Sequence, residues 1–378
     1  MRWALILGLV SSVAAADEPA KLVDELLPRV VQVMGLSAPK HLQVKVVSRA
    51  EAEALLRGEL DNQQDHLQRL GEALLAIGLL PPGTKLEALA PDFNRQNVSG
   101  FYDVHTHTLL LLADQTDEAQ RPIVAHELAH AVQDANVNLE LAMTARRGSQ
   151  DATLALSAVL EGQAQATAAL VMDGWLRDRH VAVEGMVGLL SDTAAKSAAE
   201  AAQRAPVPWL GLQLSFPYVA GRELIASMAT ADDLIARELL RKPPASTAQV
   251  MTPTRTAPPR KGELHLERLI PEAKPSVSTT LGRANLELLG AGLGEGWRGD
   301  RLESVRVGPK AFVAWSIVFE TQDQAQRCAA VIKGEVEGRV VVLQSGLPAA
   351  ARSAALRIWD RSVNPPDRSR SQDEKLKP

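Results

Sequence analysis

Two histidines and a glutamate have a spacing that could place them around one metal ion. His126, Glu127 and His130 lie within residues 125–134 in the order HExxH. On a helix, residues four apart share a face, so both imidazoles can face one metal, with Glu127 beside them as general base. Chance alone would give about 0.01 such matches in a chain of this composition. Because the neighbouring residues are mostly apolar, a solvated surface helix with two stray histidines is the weaker interpretation.

Two histidines do not complete a catalytic zinc site, which needs three protein ligands and an open position. The metzincins take their third ligand from the pattern HExxHxxGxxH, which requires glycine at position 133 and histidine at position 136. This chain has Gln133 and Asn136 there. The third ligand must therefore come from another segment.

Glu161 fits best as the third ligand. It is the only charged residue between Asp151 and Asp173, in a segment with a helical pattern of small, apolar and neutral polar residues. A carboxylate buried in such a helix would be costly unless it were paired or bound to a metal. The alternative is a glutamate that is hydrogen-bonded inside a helical bundle. Glu140 and Asp134 are weaker candidates, because both lie near the end of the motif helix in positions that favour solvation.

The three predicted ligands and Zn²⁺ together indicate a hydrolytic reaction. Zinc acidifies a bound water and polarises a carbonyl group. Glu127 would accept the water proton and pass it to the leaving amine. A further donor to the tetrahedral intermediate would come from one of the two tyrosines, Tyr102 and Tyr218. We select Tyr218 as the candidate, and a tyrosine packed in the core is the alternative.

Other polar residues near the motif have candidate supporting roles. His105 and His107 lie in a predicted hairpin turn, where they could bind a second metal or be simply solvated. Asp134, one helical turn after His130, and Asp151 could each orient a ligand imidazole. Asp151 could equally be an acidic residue at a helix N-terminus. The remaining histidines have no partner pattern and are expected at the surface: His41, His66, His180 and His265.

HExxH on one helix, followed by a glutamate in an EGxA-type segment, resembles the gluzincins, the thermolysin-like clan of zinc peptidases. More closely, the chain is similar to a group of secreted bacterial proteins of metallopeptidase type. The matching segments are GFYD at 100–103, HELAHAVQD at 126–134 and LEGQA at 160–164, with weaker matches in PPASTAQV at 243–250 and GWRGDR at 296–301. The resemblance implies zinc on His126, His130 and Glu161, and a strand hairpin beside the motif helix. In that group a histidine precedes the proline equivalent to Pro253. This chain departs from the pattern, because it has Thr252 at that position.

The first 16 residues are typical of a secretory signal. A basic start leads into the apolar residues 4–10, and small residues follow up to Ala16, before the polar Asp17. We predict cleavage after Ala16, an exported protein that is periplasmic or extracellular, and no stable membrane anchor after cleavage. The alternative is an anchor retained at the N-terminus.

Composition limits the classes of partner. The net charge is only −4 and the two signs are mixed, which gives no electrostatic case for binding nucleic acid. The single cysteine, Cys328, excludes an intrachain disulfide and is expected to be a small packing residue.

Hydrophobic spacing predicts the elements that position the motif. A helix is expected over 17–36, with Leu22, Leu26, Val30 and either Val33 or Met34 on its apolar face. A strand over 42–46 and a hairpin over 98–113 follow. The motif helix should have Pro122 in its first turn and end near Gln133, and a second long helix should cover 152–176.

These elements predict an α+β fold. A zincin-like domain over 17–241 would contain a small sheet, the active-site helix, the following ligand helix and a helical continuation. A connector rich in Pro, Ser and Thr over 242–262 would lead to a small C-terminal α+β unit over 263–363, and a disordered tail over 364–378.

The function predicted is a secreted or periplasmic zinc-dependent peptidase acting on a peptide or protein substrate. The alternative from another class is a non-catalytic interaction protein on a zincin scaffold with structural zinc. Glu127 favours catalysis, because a structural site needs no base. The C-terminal unit could bind the substrate or a partner, and the N-terminal helix could act as a propeptide. The sequence does not specify the oligomeric state.

Overall fold

The computed structural model of the protein describes residues 18–61, 63–95, 100–113, 117–181, 185–254, 257–260, 262, 264–349 and 351–353. The predicted signal segment, 1–16, and the predicted tail, 364–378, lie outside the described residues. The fold is α+β, as the sequence predicted.

The chain forms two compact units, one built from Met1–Gly71 and Gly83–Thr256 and the other from Glu72–Pro82 and Ala257–Pro378. The described elements before residue 257 are α1 (Glu18–Met34), β1 (Gln43–Val47), α2 (Arg49–Asp61), α3 (Gln64–Ala76), α4 (Leu86–Arg95), β2 (Gly100–Asp103), β3 (Thr108–Leu112), α5 (Asp117–Val137), α6 (Leu139–Thr144), α7 (Gln150–Arg177), α8 (Met186–Gln203), α9 (Pro208–Met228), α10 (Glu238–Arg241) and α11 (Thr247–Met251). Those after it are α12 (Leu266–Leu269), β4 (Lys274–Thr279), α13 (Arg283–Leu289), β5 (Trp297–Val307), β6 (Lys310–Phe319), α14 (Gln322–Ile332), β7 (Glu335–Glu337) and β8 (Val340–Ser345).

The first unit contains a three-stranded sheet in the order β1-β3-β2. β1 is parallel to β3, whereas β2 is antiparallel to it and forms the predicted hairpin. Every residue of β2 and β3 is buried. The hairpin therefore lies inside the unit, with β2 beside the helix that carries the HExxH motif.

Helix α1 belongs to the core of the first unit. Its predicted apolar residues Leu22, Leu26 and Val30 are almost completely buried, and Met34 rather than Val33 completes the face. These residues share one apolar cluster with residues of α5 and α7. Since removing α1 would expose that cluster, the suggestion that this helix acts as a propeptide is not supported by its packing.

Helix α7 is the central helix of the first unit. It is 28 residues long, and 89% of its most apolar 18-residue window is buried inside the protein. By length and composition it is the one described helix that could cross a membrane. This burial is typical of a core helix, which must satisfy its few polar side chains internally.

Helices α7 and α9 cross in close contact at two glycines. A Cβ atom added to Gly162 would overlap the carbonyl oxygen of Gly221, and one added to Gly221 would overlap the carbonyl oxygen of Ala158. The two small residues that follow Glu161, Gly162 and Ala164, predict a close approach of the motif helix α5. Ala164 lies in the cluster shared with α5, whereas Gly162 faces α9 instead.

The second unit is built on a five-stranded sheet in the order β4-β5-β6-β8-β7, and all of its pairs are antiparallel. The buried carboxylate of Asp300 accepts hydrogen bonds from the backbone amides of Leu281 and Gly282 and from the indoles of Trp297 and Trp315. It thereby joins β5 and β6 to the start of α13. Cys328 is buried on α14, which agrees with a packing role.

The extent of the motif helix and the structure of residues 242–262 differ from the sequence prediction. The motif helix spans Asp117–Val137, so Pro122 lies inside it rather than in its first turn, and it ends beyond Gln133. Residues 242–262 were expected to be irregular, yet they contain α11. Ser246 caps this short helix, and Asp151 accepts hydrogen bonds from the amide and hydroxyl of Thr247, which holds it against α7.

Candidate metal centre

Helices α5 and α7 bring the three predicted ligands together. His126 and His130 lie one turn apart on α5, and their Nε2 atoms are 3.1 Å from each other. Oε2 of Glu161, on α7, is 3.0 Å from Nε2 of His126 and 3.7 Å from Nε2 of His130. The helical spacing and the helix pairing inferred from the sequence therefore place these three side chains at one point.

The separations fit a tetrahedral metal site. Ligand atoms about 2.05 Å from a tetrahedral zinc ion are about 3.3 Å from one another, and the three observed distances are distributed around this value. The ligand atoms of His126, His130 and Glu161 all lie within 4.8 Å of one another, and these residues form the metal-binding group found among the described residues. The group could bind a metal ion through two imidazoles and one carboxylate.

The site is buried and its charges depend on one another. Side-chain exposure is 3% for His126, 12% for His130 and 1% for Glu161. Burial would raise the pKa of Glu161, but the facing imidazoles outweigh it and hold the pKa at about 2. Burial would lower the pKa of His130, but the carboxylates of Glu161 and Glu127 and the hydrogen bond with Gln133 together outweigh burial and raise the pKa to about 9. Metal ions bind the deprotonated forms of these ligands, so the affinity of the site for a metal would depend on pH.

Glu127 lies beside the ligands with only 1% of its surface exposed. Its Oε2 atom accepts a hydrogen bond of 2.9 Å from the backbone amide of Tyr102 on β2. Burial raises the pKa of Glu127 to about 8. A bound cation would lower this pKa, because a nearby positive charge favours the carboxylate. The hairpin thus orients the predicted base through the main chain.

Tyr218, the predicted donor to the intermediate, lies on α9 against the metal ligands. It is 2% exposed, and its ring stacks on that of His126 with centroids 6.3 Å apart and an angle of 18°. Burial raises the pKa of Tyr218, and the charge of Glu161 together with a hydrogen bond to it adds to the rise. The hydroxyl therefore contacts a predicted ligand, while the donor role remains a prediction.

The histidines of the hairpin turn pair with carboxylates. Nδ1 of His107 is 3.0 Å from Asp134, which also accepts a hydrogen bond of 2.9 Å from the hydroxyl of Tyr102. Nδ1 of His105 is 3.1 Å from Glu140. The described residues show no third metal-binding side chain gathered with either pair. These contacts tether the turn to the end of α5 and to α6, and they occupy Asp134 and Glu140, the two weaker ligand candidates.

Gln133 contacts the imidazole of His130 at Nδ1, the nitrogen that does not face the other two ligands. The sequence did not single out this residue as an orienting group. Its Oε1 atom lies 2.9 Å from Nδ1 of His130. Asp134 and Asp151 were the predicted orienting residues, but Asp134 binds the hairpin and Leu139, and Asp151 binds Thr247. The available signal was a neutral amide three residues after a ligand histidine, directly following the apolar residues Ala131 and Val132.

No protein-family model matches the chain, and no curated protein and no solved structure matches it. The resemblance to gluzincins therefore remains a prediction from the motifs. What the structure contributes is the α+β fold and a buried His126–His130–Glu161 group that could bind a metal ion.

Proposed function

We propose that the protein is a secreted or periplasmic zinc-dependent peptidase of gluzincin type, which hydrolyses peptide bonds in a peptide or protein substrate. The observation that supports this proposal is the convergence of His126, His130 and Glu161 beside the buried carboxylate of Glu127. Two imidazoles and one carboxylate, with a fourth position open, form the donor set of catalytic zinc sites. The export part of the proposal rests on the N-terminal sequence alone.

The number of ligands favours catalysis over a structural role. Structural zinc sites are closed by four protein ligands, whereas catalytic sites use three and leave one position for water or substrate. Among the described residues the group contains three. A structural site would also have no use for the buried Glu127, whose burial carries a cost that a catalytic role explains.

Each residue has a definite task in this proposal. His126, His130 and Glu161 would hold Zn²⁺, which when bound acidifies water and polarises the substrate carbonyl. Glu127, oriented by the amide of Tyr102, accepts the proton of the attacking water and transfers it to the leaving amine. Tyr218, which lies against Glu161 and His126, is the candidate for an additional donor.

The test of the mechanism is Glu127→Gln in the zinc-loaded protein. Glutamine keeps the size of the side chain and an acceptor for the amide of Tyr102, but it cannot take a proton from water. We expect about one zinc per chain, as in the wild type, and a loss of kcat by roughly 10²- to 10⁴-fold. Cleavage of a mixed peptide library, with and without chelator, provides the measurement.

Glu161→Ala is the matched control, because it removes a ligand and leaves the base in place. We expect much less zinc in this variant and no hydrolysis. Unchanged cleavage by Glu127→Gln would reject the mechanism. A wild type that holds zinc but cleaves nothing in the library would favour the non-catalytic interaction protein.

A further inference from the structure

Gln133 lies between two of the predicted ligands and is itself completely buried. Its Oε1 atom is 2.9 Å from Nδ1 of His130 on the same helix. Its Nε2 atom donates to the backbone oxygen of Leu160 at 3.1 Å and to Oε1 of Gln163 at 3.2 Å, both on α7. Leu160 directly precedes Glu161, so one side chain links the positions of two ligands.

The orientation of the Gln133 amide is fixed by its acceptors. A backbone carbonyl can only accept a hydrogen bond, so the NH₂ group must face Leu160 and the oxygen must face His130. Gln163 is oriented in the same way, since its own NH₂ group donates to the carbonyl of Ala236 at 3.1 Å. Its oxygen is then turned to Gln133. The two amides form a chain in which each NH₂ group donates to at least one acceptor.

This chain determines which nitrogen of His130 carries a proton. Because Gln133 presents an oxygen to Nδ1, that nitrogen must be the donor and must be protonated. In the neutral imidazole the lone pair is then on Nε2. Nε2 is the nitrogen that faces His126 and Glu161. The amide thus prepares His130 to bind a metal through Nε2.

We propose that Gln133 is a positioning residue of the metal centre: it holds His130 in the tautomer that binds metal through Nε2, and it fixes α7 beside Glu161. The inference rests on the metal site of the proposed function and does not depend on peptide hydrolysis. Groups that hydrogen-bond a metal-ligating imidazole typically change metal affinity by 10- to 100-fold when they are removed. The partner here is neutral, so it orients the imidazole without adding charge to the buried site.

The experiment compares the Zn²⁺ affinity of the wild type with that of Gln133→Met and Gln163→Met, using competition with a chromophoric chelator. Methionine has a similar length and makes no comparable hydrogen bond. We expect roughly 10- to 100-fold weaker binding in Gln133→Met. Gln163→Met removes the same kind of buried amide one contact further from His130, so its loss should be much smaller than tenfold.

A second readout follows the proton itself. In zinc-loaded protein labelled with ¹⁵N-histidine, the wild type should show a slowly exchanging Nδ1–H of His130 and metal coordination through Nε2. This resonance should survive in Gln163→Met and be lost to exchange in Gln133→Met. Because the measurement on the wild type needs no variant, it remains decisive if Gln133→Met fails to fold.

Three results would overturn the inference: zinc on Nδ1 of His130 in the wild type, wild-type zinc affinity in Gln133→Met, or equal losses in the two methionine variants. Equal losses would mean that the amides only fill space.

Glu at position 133 keeps an acceptor for Nδ1–H and lacks the donors, so Gln133→Glu should bind zinc more tightly than Gln133→Met. A protein that binds Zn²⁺ but cleaves no peptide would reject the peptidase and leave these tests valid.

Discussion

Tyr218 and Tyr102 show how two residues of one type acquire different roles through their contacts. The hydroxyl of Tyr218 binds Glu161, a predicted ligand. The hydroxyl of Tyr102 binds Asp134, while its main-chain amide holds Glu127. The sequence favoured Tyr218 over Tyr102 as a donor, but the contacts that distinguish them depend on which helix or strand each one meets.

The first prediction at this scale concerns Tyr218→Phe. Removing the hydroxyl takes a hydrogen bond from Glu161, so we expect zinc affinity to fall about tenfold. Tyr102→Phe is the matched control, and its zinc affinity should be unchanged because its hydroxyl contacts no predicted ligand. Chelator competition measures both variants. An unchanged affinity in Tyr218→Phe together with a fall in kcat of a hundredfold or more would instead indicate a donor to the reacting substrate.

Among the elements, the crossing of α7 and α9 determines where Tyr218 meets Glu161. The two helices touch backbone to backbone at Gly162 and Gly221. Gly162 lies one residue after Glu161, and Gly221 lies three residues after Tyr218. A contact this close leaves no room for a Cβ atom. The small residues therefore act at the site indirectly, through the distance between two helix axes.

Gly221→Ala should destabilise the protein and weaken zinc binding. The new methyl group would meet the carbonyl oxygen of Ala158, which cannot move without moving α7. Overpacking of this kind costs about 1–3 kcal/mol, and we expect the upper end because the obstacle is backbone. Gly174→Ala on α7 has open space around it and should be neutral or stabilising by about 0.5–1 kcal/mol. Thermal unfolding of the two variants tests this, and equal midpoints would contradict it.

The sequence predicted elements best where one local pattern determines the structure. The four-residue spacing of Leu22, Leu26 and Val30 gave α1, and HExxH placed His126 and His130 on one face. Glu161 was found because an isolated charge in an apolar helix needs a partner. The hold of Asp151 on α11, the partner of Gly162 and the contacts of Gln133 with α7 depend on segments brought together by folding. Local patterns contain no information on such pairings.

For the whole molecule, the predicted ligands and Glu127 all lie in the first of the two compact units. A ligand that binds only the folded state stabilises it by mass action, by about 2.7 kcal/mol at a hundredfold excess over the dissociation constant. We therefore expect Zn²⁺ to slow amide hydrogen exchange in α5 and α7, and to leave β5 and β6 of the second unit unchanged.

Hydrogen exchange followed by mass spectrometry, with zinc and with chelator, measures this difference segment by segment. Glu161→Ala is the control and should show no effect of zinc. Equal protection of β5 and β6 would mean that the two units open together. No protection in α5 or α7 would show that metal binding is not coupled to the stability of the first unit.

The position of α1 in the core also has a consequence for the time course of biosynthesis. Its buried residues Leu26 and Val30 pack in one cluster with Leu128 on α5 and with Val171 on α7. These partners follow by about a hundred residues or more, and contacts so distant along the chain form slowly. Helix α1 is thus synthesised well before the partners that bury it. Until α7 has been synthesised, the apolar face of α1 is available to chaperones that keep nascent chains unfolded.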